Sequence, residues 1–265
     1  MNPATLDHSS HEKFLAYYAD RSQLSKEFDR FRAIRNTVLR VAAGRDHPDR
    51  KYDVLDVGCG AGTQCAVWAE IDHRVHGLDV NQPLLTLAKE RAAASGHEID
   101  FRLGSAVQLP WPDRSMDICL ALELLEHVTD WRSCLNEFTR VLRPGGILYF
   151  STTNKLCPKQ NEFNLAGYSW YPAALKRHFE RLTVTKRPSL ANYAVYPAVN
   201  WFTPYGLRAE LAVRGLSSLD RFDLIDSSQK GRLARLIIPL VRALPPLRLL
   251  AFVCTPSTTL LGIKA

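Results

Sequence analysis

Apolar residues in this chain recur first at helical spacing, then in short runs separated by helical stretches. From residue 12 to about residue 43, Phe14, Leu15, Tyr18, Leu24, Phe28, Phe31, Ile34, Val38 and Leu39 return at threes and fours. That spacing predicts an N-terminal helical segment, ended by Gly44 and the polar stretch after it. A strand–helix alternation follows. Strands are expected at 52–57, 75–78, 99–103, 116–122 and 147–152, with helices at 62–70, 83–95 and 131–142 between them. Pro83 suits the first turn of its helix, and Arg143-Pro144-Gly145-Gly146 has turn chemistry. Strands joined through crossover helices predict a parallel sheet wound on both faces.

After Thr153 the rhythm breaks. Residues 154–204 hold Pro158, Pro172, Pro188, Pro197 and Pro204, with Phe163, Tyr168, Trp170, Tyr171, Phe179, Tyr193, Tyr196, Trp201 and Phe202 among them. The segment 163–202 reads as an aromatic-rich insertion, either a hydrophobic wall for a second substrate or the core of a helical cap. A helix at 205–214 and strands at 219–224 and 259–263 then resume the sheet. The expected fold class is α/β, a doubly wound seven-stranded sheet with an N-terminal helical segment and a C-terminal aromatic-rich insertion. Three regions are expected: an N-terminal helical lid over 1–50, a core over 51–155, and insertion, last strands and tail over 156–265.

The chain has 265 residues, enough for one such domain with elaborations, and its 46% apolar content is that of an ordinary globular protein. Its net charge of +7 is unevenly placed. From Ser227 onward there are Lys230, Arg232, Arg235, Arg242, Arg248 and Lys264 and no acid, interleaved with runs such as Leu236-Ile237-Ile238-Pro239-Leu240-Val241. Arginines interrupt those runs too often for a membrane span. A basic amphipathic segment over 228–256, lying on an anionic membrane surface, fits; so does a helix packed on the sheet with arginines reaching out to water. Nucleic acid is not an expected partner, because the cations are not interleaved with stacking aromatics. The six cysteines show no C-x-x-C pair and no zinc spacing. Buried free thiols in a reducing cytoplasm are the expectation, with no secretory leader, since no basic-then-apolar start is present.

The chemistry concentrates in Val54-Leu55-Asp56-Val57-Gly58-Cys59-Gly60-Ala61-Gly62, an apolar strand running into three alternating glycines. Glycine serves where backbone must turn sharply and lie close to a ligand. The helix that begins there aims free N–H groups into the loop. Asp79 ends the next strand, where an acid suits ribose hydroxyls. The spacing is D-x-G-x-G-x-G rather than G-x-G-x-x-G, with Asp56 two residues before the first glycine. A dinucleotide pyrophosphate would be repelled by that acid, whereas a cationic sulfonium amino acid offers it an ammonium.

VLDVGCGAG, GLDV, LPWPDRSMD, LELLEHV and RVLRPGGILYFST resemble, in order, the motifs of class I S-adenosylmethionine (SAM)-dependent methyltransferases. They are especially similar to the branch of the ubiquinone-biosynthesis O-methyltransferases and of many small-molecule and glycan methyltransferases. The resemblance implies a Rossmann-like core that binds SAM. By it, Asp56, Gly58, Gly60 and Gly62 line the methionine end, Asp79 takes the ribose, and Val80 packs on adenine. Ser105 and Ala106 flank the adenine edge, Leu122 backs the sulfonium, and Arg35 matches an N-terminal arginine near the cofactor. Many relatives have Asp in place of Ser105, so adenine recognition is expected to be weaker or to use backbone.

Methyl transfer is an in-line displacement on an activated carbon, so alignment and water exclusion are the main demands. An oxygen acceptor also gains from a base or a metal. Glu123, Glu126 and His127 follow the fourth strand, with Glu123 and His127 the catalytic candidates. The resemblance links such an E-x-x-E-H run to a divalent ion, and two carboxylates with an imidazole suit Mg²⁺ completed by water. The same three residues also suit a helix cap with a solvated face. His11, Tyr17, Tyr18 and His178 are further acceptor-side candidates, each equally explicable by packing. The expected activity is SAM-dependent methylation, O-directed, of a small molecule, lipid precursor or glycan. Ubiquinone biosynthesis itself and a non-catalytic SAM-binding partner protein are the alternatives. A nicotinamide-dependent oxidoreductase is disfavoured by the glycine spacing and Asp56.

Overall fold

The computed structural model describes residues 20, 24–44, 50–160, 162–190 and 198–265. The expected start of the first helix, with His11, Phe14, Leu15, Tyr17 and Tyr18, lies outside the described residues, as do Tyr193 and Tyr196. The described chain begins with α1 (Ser25–Ala43). The alternating part then runs β1 (Asp53–Val57), α2 (Thr63–Ala69), β2 (Arg74–Asp79), α3 (Gln82–Ala94), β3 (Ile99–Leu103), β4 (Met116–Leu122), α4 (Trp131–Val141) and β5 (Leu142–Thr153). Beyond it come α5 (Ala173–Thr185), α6 (Pro204–Val213), β6 (Leu216–Asp220), α7 (Arg221–Leu224), α8 (Arg232–Ala243), α9 (Pro245–Val253) and β7 (Ser257–Lys264).

The sheet has seven strands in the order β3-β2-β1-β4-β5-β7-β6. β1 to β5 pair parallel, while β7 pairs antiparallel with both β5 and β6. β1 is buried along its whole length, and β4 nearly so, as near-continuous apolar strands covered on both faces must be. One face is covered by α4 and α6 around Phe138, Leu135, Phe150, Leu207 and Leu211. The other is covered by α1, α2 and α3 around Val38, Trp68, Leu85 and Tyr149. Ile34, Val38 and Ala42 place α1 in that second core. Arg32 and Arg35 pin it to α2 through Glu70.

Three expectations need correction. The strand predicted at 219–224 ends at Asp220, whose side chain caps α7 in a reciprocal pairing with Asp223; the apolar Phe222 and Leu224 belong to that helical turn. β5 starts at Leu142, and Arg143-Pro144-Gly145-Gly146 bulges out between the pairs Met116–Leu142 and Ile118–Ile147 instead of closing a turn before the strand. The tail forms two helices in which Arg242 and Arg248 turn inward while Arg232 and Arg235 stay exposed, as described below.

The amino edge of the sheet is closed by ion pairs. Asp53 receives Arg74 Nε at 2.6 Å and Arg143 Nη1 at 2.8 Å, and Arg143 also reaches Asp117 at 2.7 Å. Arg50 meets Asp117 from outside at 2.6 Å. Arg74, bonded to Asp53, and Arg143 beside it hold the Asp53 carboxyl at about 2. A carboxyl lowered on folding stabilises above its unfolded pKa, and that stability is lost as pH falls through the folded value. Asp53→Asn should therefore cost about 1 kcal/mol at neutral pH, less than full linkage because Arg74 is largely in water. Urea melts at successive pH values should show the difference shrinking as pH falls from about 4 toward about 2.

Candidate active site

Parallel strands place ligands at their carboxyl ends, and the conspicuous backbone geometry lies there. Gly58, Gly60 and Gly62 have φ of +79°, +51° and +77°. At Gly62 an added Cβ would stand 2.9 Å from the Ala88 Cβ and 3.0 Å from Phe101, so the third glycine lets α2 and α3 close on the sheet. At Gly60 only Leu84 comes near, at 4.0 Å, leaving the backbone open to an incoming molecule. The loop is anchored to the end of β2. Leu78 O accepts from Gly58 N and Cys59 N at 2.7 and 3.1 Å. The Asp79 carboxylate accepts from Gly60 N and Asn81 N, both at 2.8 Å.

Burial raises the Asp79 carboxyl against the pull of those backbone donors. Asp56 is buried beneath the loop with the Cys65 thiol 3.6 Å away, and burial, helped by Asp79, pushes it to about 7. Near it in sequence, Gln64 is 3% exposed with both carboxamide atoms unpartnered among the described residues, as is Asn81 Nδ2. Buried polar atoms left this way are costly unless something binds them. Val80 is 65% exposed and Leu103 55%, on neighbouring strand ends, and they offer apolar cover to a flat ring. Ala106 is buried and Ser105 is exposed, its Oγ 3.4 Å from Val107 N. Leu122 is half-buried at the end of β4. Open glycine backbone, a ribose-height acid, unpartnered amides and exposed apolar edges suit SAM.

Arg35 does not join this cleft. Its Nη1 donates to Val67 O at 2.5 Å and meets Glu70 at 3.2 Å, on the second half of α2. That is about two helical turns from the glycine loop. The α1 guanidinium facing the site is Arg30, with Nη2 3.8 Å from Glu123 Oε1. The amphipathic pattern could not separate the two arginines, because both lie on the half of α1 that turns toward the domain.

Glu123, directly after β4, has φ +49°, a left-handed conformation uncommon outside glycine. Its N–H bonds Ser151 O, and its carboxylate receives the Ser151 hydroxyl in a short bond. Glu126 is buried, with Thr152 Oγ1 donating at 2.8 Å and Oε1 unpartnered among the described residues. Burial, with the negative charge of Glu123 and Glu162, raises its carboxyl well above the usual range. His127 is half-buried, its N–H bonded to Leu124 O. The expected metal set fails as a set. Among the described residues no three His, Cys, Asp or Glu side chains are arranged to hold an ion, because Glu126 points into the core toward Thr152 while Glu123 is held by Ser151 and Arg30.

Glu162, which sequence reading did not single out, supplies the third carboxylate. It accepts from the backbone of Ala198, and burial together with Glu123 lifts it to about 7. The segment 198–200 that bonds it also crosses to the turn after β4. Val199 N and Asn200 N donate to Glu126 O, and Asn200 Nδ2 donates to Leu125 O and Val128 O. The aromatic insertion is mainly core of its own cap: Phe163 and Tyr168 are buried and stacked at 4.1 Å, with Trp201 and Lys176 against Tyr168. His178 is exposed on α5 beside Phe179. Two hollows, of about 510 and 470 Å³, lie at the opposite edge, around Arg74 with His97 and around Arg50 with Asp117. Neither hollow is lined by the glycine loop, Asp79 or Glu123.

Comparison with known proteins agrees with this geometry. Residues 55–150 match the methyltransferase domain family. A ubiquinone biosynthesis O-methyltransferase of Maricaulis maris is 28% identical, covering 84% of this chain and 90% of that protein. A malonyl-[acyl-carrier protein] O-methyltransferase of Serratia marcescens is 38% identical over a shorter stretch, 42% of each chain. A solved S-adenosylmethionine-dependent methyltransferase from Mesorhizobium loti shares the fold at TM-score 0.54 and 16% identity, covering 85% of this chain and 96% of that one. With the glycine loop and Asp79 placed as described, this chain belongs to the class I SAM-dependent methyltransferases.

Proposed function

We propose that the chain transfers the SAM methyl group to an oxygen nucleophile on a small-molecule or lipid-linked acceptor. The observation that carries this reading is the gathering of Glu123, Glu126 and Glu162 at the carboxyl end of β4, with one of them at about 7. A hydroxyl acceptor must lose a proton as it attacks, and a base is most effective when its pKa is near the working pH. Glu126, held protonated to higher pH by its burial, leaves Glu162 as the carboxyl that ionises near neutrality. Glu162 is then the proton acceptor, Arg30 steadies Glu123, and His127 borders the same turn. The names of the similar proteins, both O-methyltransferases, support an oxygen acceptor. SAM itself brings the activated methyl group; the residues align it and exclude water.

Two outcomes are expected. Asp79→Ala removes the acceptor for Gly60 N and Asn81 N together with the ribose partner. It should weaken S-adenosylhomocysteine binding by about 2 kcal/mol or more in calorimetry, whereas His127→Ala should leave that affinity intact and lower turnover. The second concerns pH. A base at about 7 is active when ionised, so kcat/KM should rise with pH to a plateau above neutrality. Glu162→Gln should remove that rising limb and lower the plateau by about a hundredfold, without changing SAM affinity. Tight SAM binding with no methyl transfer to any hydroxylated metabolite extract would sink the proposal.

A further inference from the structure

The helices α8 and α9 fill the connection between β6 and β7. β6 ends at Asp220 and β7 begins at Ser257, which pairs with Thr153, so both ends open on the carboxyl edge of the sheet where the site lies. Asn154, next after β5, binds this connection directly, with Nδ2 donating to Phe252 O at 2.9 Å and Thr255 O at 2.7 Å. The helix pair is therefore a fixed neighbour of the acceptor side.

Its side chains are arranged in reverse of a water-facing helix. Arg242 and Arg248 turn inward. Arg242 donates to Phe222 O at 2.8 Å and to Ile225 O, and Arg248 meets Asp220 at 2.7 Å as well as Asp223. The leucines turn outward, with Leu233 71%, Leu236 69%, Leu240 51% and Leu250 58% exposed, and Leu244 alongside. A soluble monomer rarely presents so continuous an apolar surface without a use for it. The exposed cations Lys230, Arg232 and Arg235 stand at the start of α8, and no acid occurs from Ser227 onward.

We propose that this face seats the protein on an anionic lipid bilayer, with the acceptor side beside the membrane surface. Helices of 12 and 9 residues are about 18 and 13 Å long, short of the roughly 30 Å hydrocarbon core. They bend by 113° between them, and no single helix among the described residues is long and apolar enough to cross a membrane. Such a pair lies in the interface, leucines down and cations among the headgroup phosphates. A second copy of the chain fits less well. Symmetric pairing would set this face against itself and bring two sets of cations together with no acid to meet them. The consequence for the acceptor, a lipid or lipid-linked hydroxyl compound, rests on the oxygen-methylation reading; the docking does not.

The test is flotation of the full chain with vesicles of phosphatidylglycerol and phosphatidylcholine in equal parts, or of phosphatidylcholine alone. The protein should float with the anionic vesicles and much less with the neutral ones, and high salt should release it. Replacing Leu233, Leu236 and Leu250 by Ser should cut the vesicle-bound fraction by about tenfold, with S-adenosylhomocysteine affinity unchanged as the measure of intact folding. Failure of the wild-type chain to float overturns the docking, as does equal flotation of a folded triple variant. A wild-type dimer in sedimentation velocity that the substitutions dissolve, without vesicle binding, also overturns it and identifies a second copy as the occupant. Vesicle binding without methyl transfer supports the docking while removing the oxygen-methylation reading.

Discussion

The carboxyl end of β2 holds the glycine loop in place, and much of the site depends on that attachment. One carbonyl, Leu78 O, takes two successive loop N–H groups, and one carboxylate, Asp79, takes a third from Gly60 while its other oxygen holds Asn81 N at the start of α3. Three left-handed glycines in five residues would otherwise be the most conformationally free part of the chain. With these three loop bonds the loop has one shape, α2 starts at a defined point, and the buried Asp56 sits beneath it. Asp79 is thus part of the scaffold that shapes the glycine loop, besides being an acid at the carboxyl end of its strand.

The carboxylate cluster after β4 follows a different principle. Its carboxylates come from two remote stretches of chain, 123–126 and 162, that meet through a third: the 198–200 segment donates to the carbonyls of Glu126, Leu125 and Val128, and its Ala198 backbone bonds Glu162. Glu123 adopts a left-handed conformation that costs energy, and Ser151 and Arg30 hold it there. Strain held by several partners next to a group of like charges is the arrangement expected where charge must shift during a reaction. The glycine loop is assembled on rigid strand ends, and the carboxylate cluster on a strap.

The sequence made the first part legible because its signals are local. An apolar run into alternating glycines, Pro83 opening α3 and an acid at the next strand end each carry meaning within a few residues. Elsewhere the deciding contact was distant. Arg30 and Arg35 are indistinguishable until α2 shows which one it binds. Glu162 lies in a segment with no periodicity and gains its environment only when 198–200 folds back. Phe222 and Leu224 resembled strand residues, although Asp220 and Asp223 carry a readable capping pair. In the tail, charge alternation implied arginines in water, and the inversion became visible only with Asp220, Asp223 and the carbonyls of α7 as their partners.

The antiparallel strand β7 also bears on how the chain is made. It lies between β5 and β6, yet it follows β6 in sequence with α8 and α9 in between. While the chain emerges, β5 therefore presents an open edge of backbone donors and acceptors, and β6 has no strand partner at all. Both conditions persist until an apolar helix pair has been synthesised, a period in which unpaired edges and exposed leucines invite association with other chains. Covering those leucines would remove one of the two hazards and leave the open edges to be closed by β7, so completion of the sheet waits on its last strand.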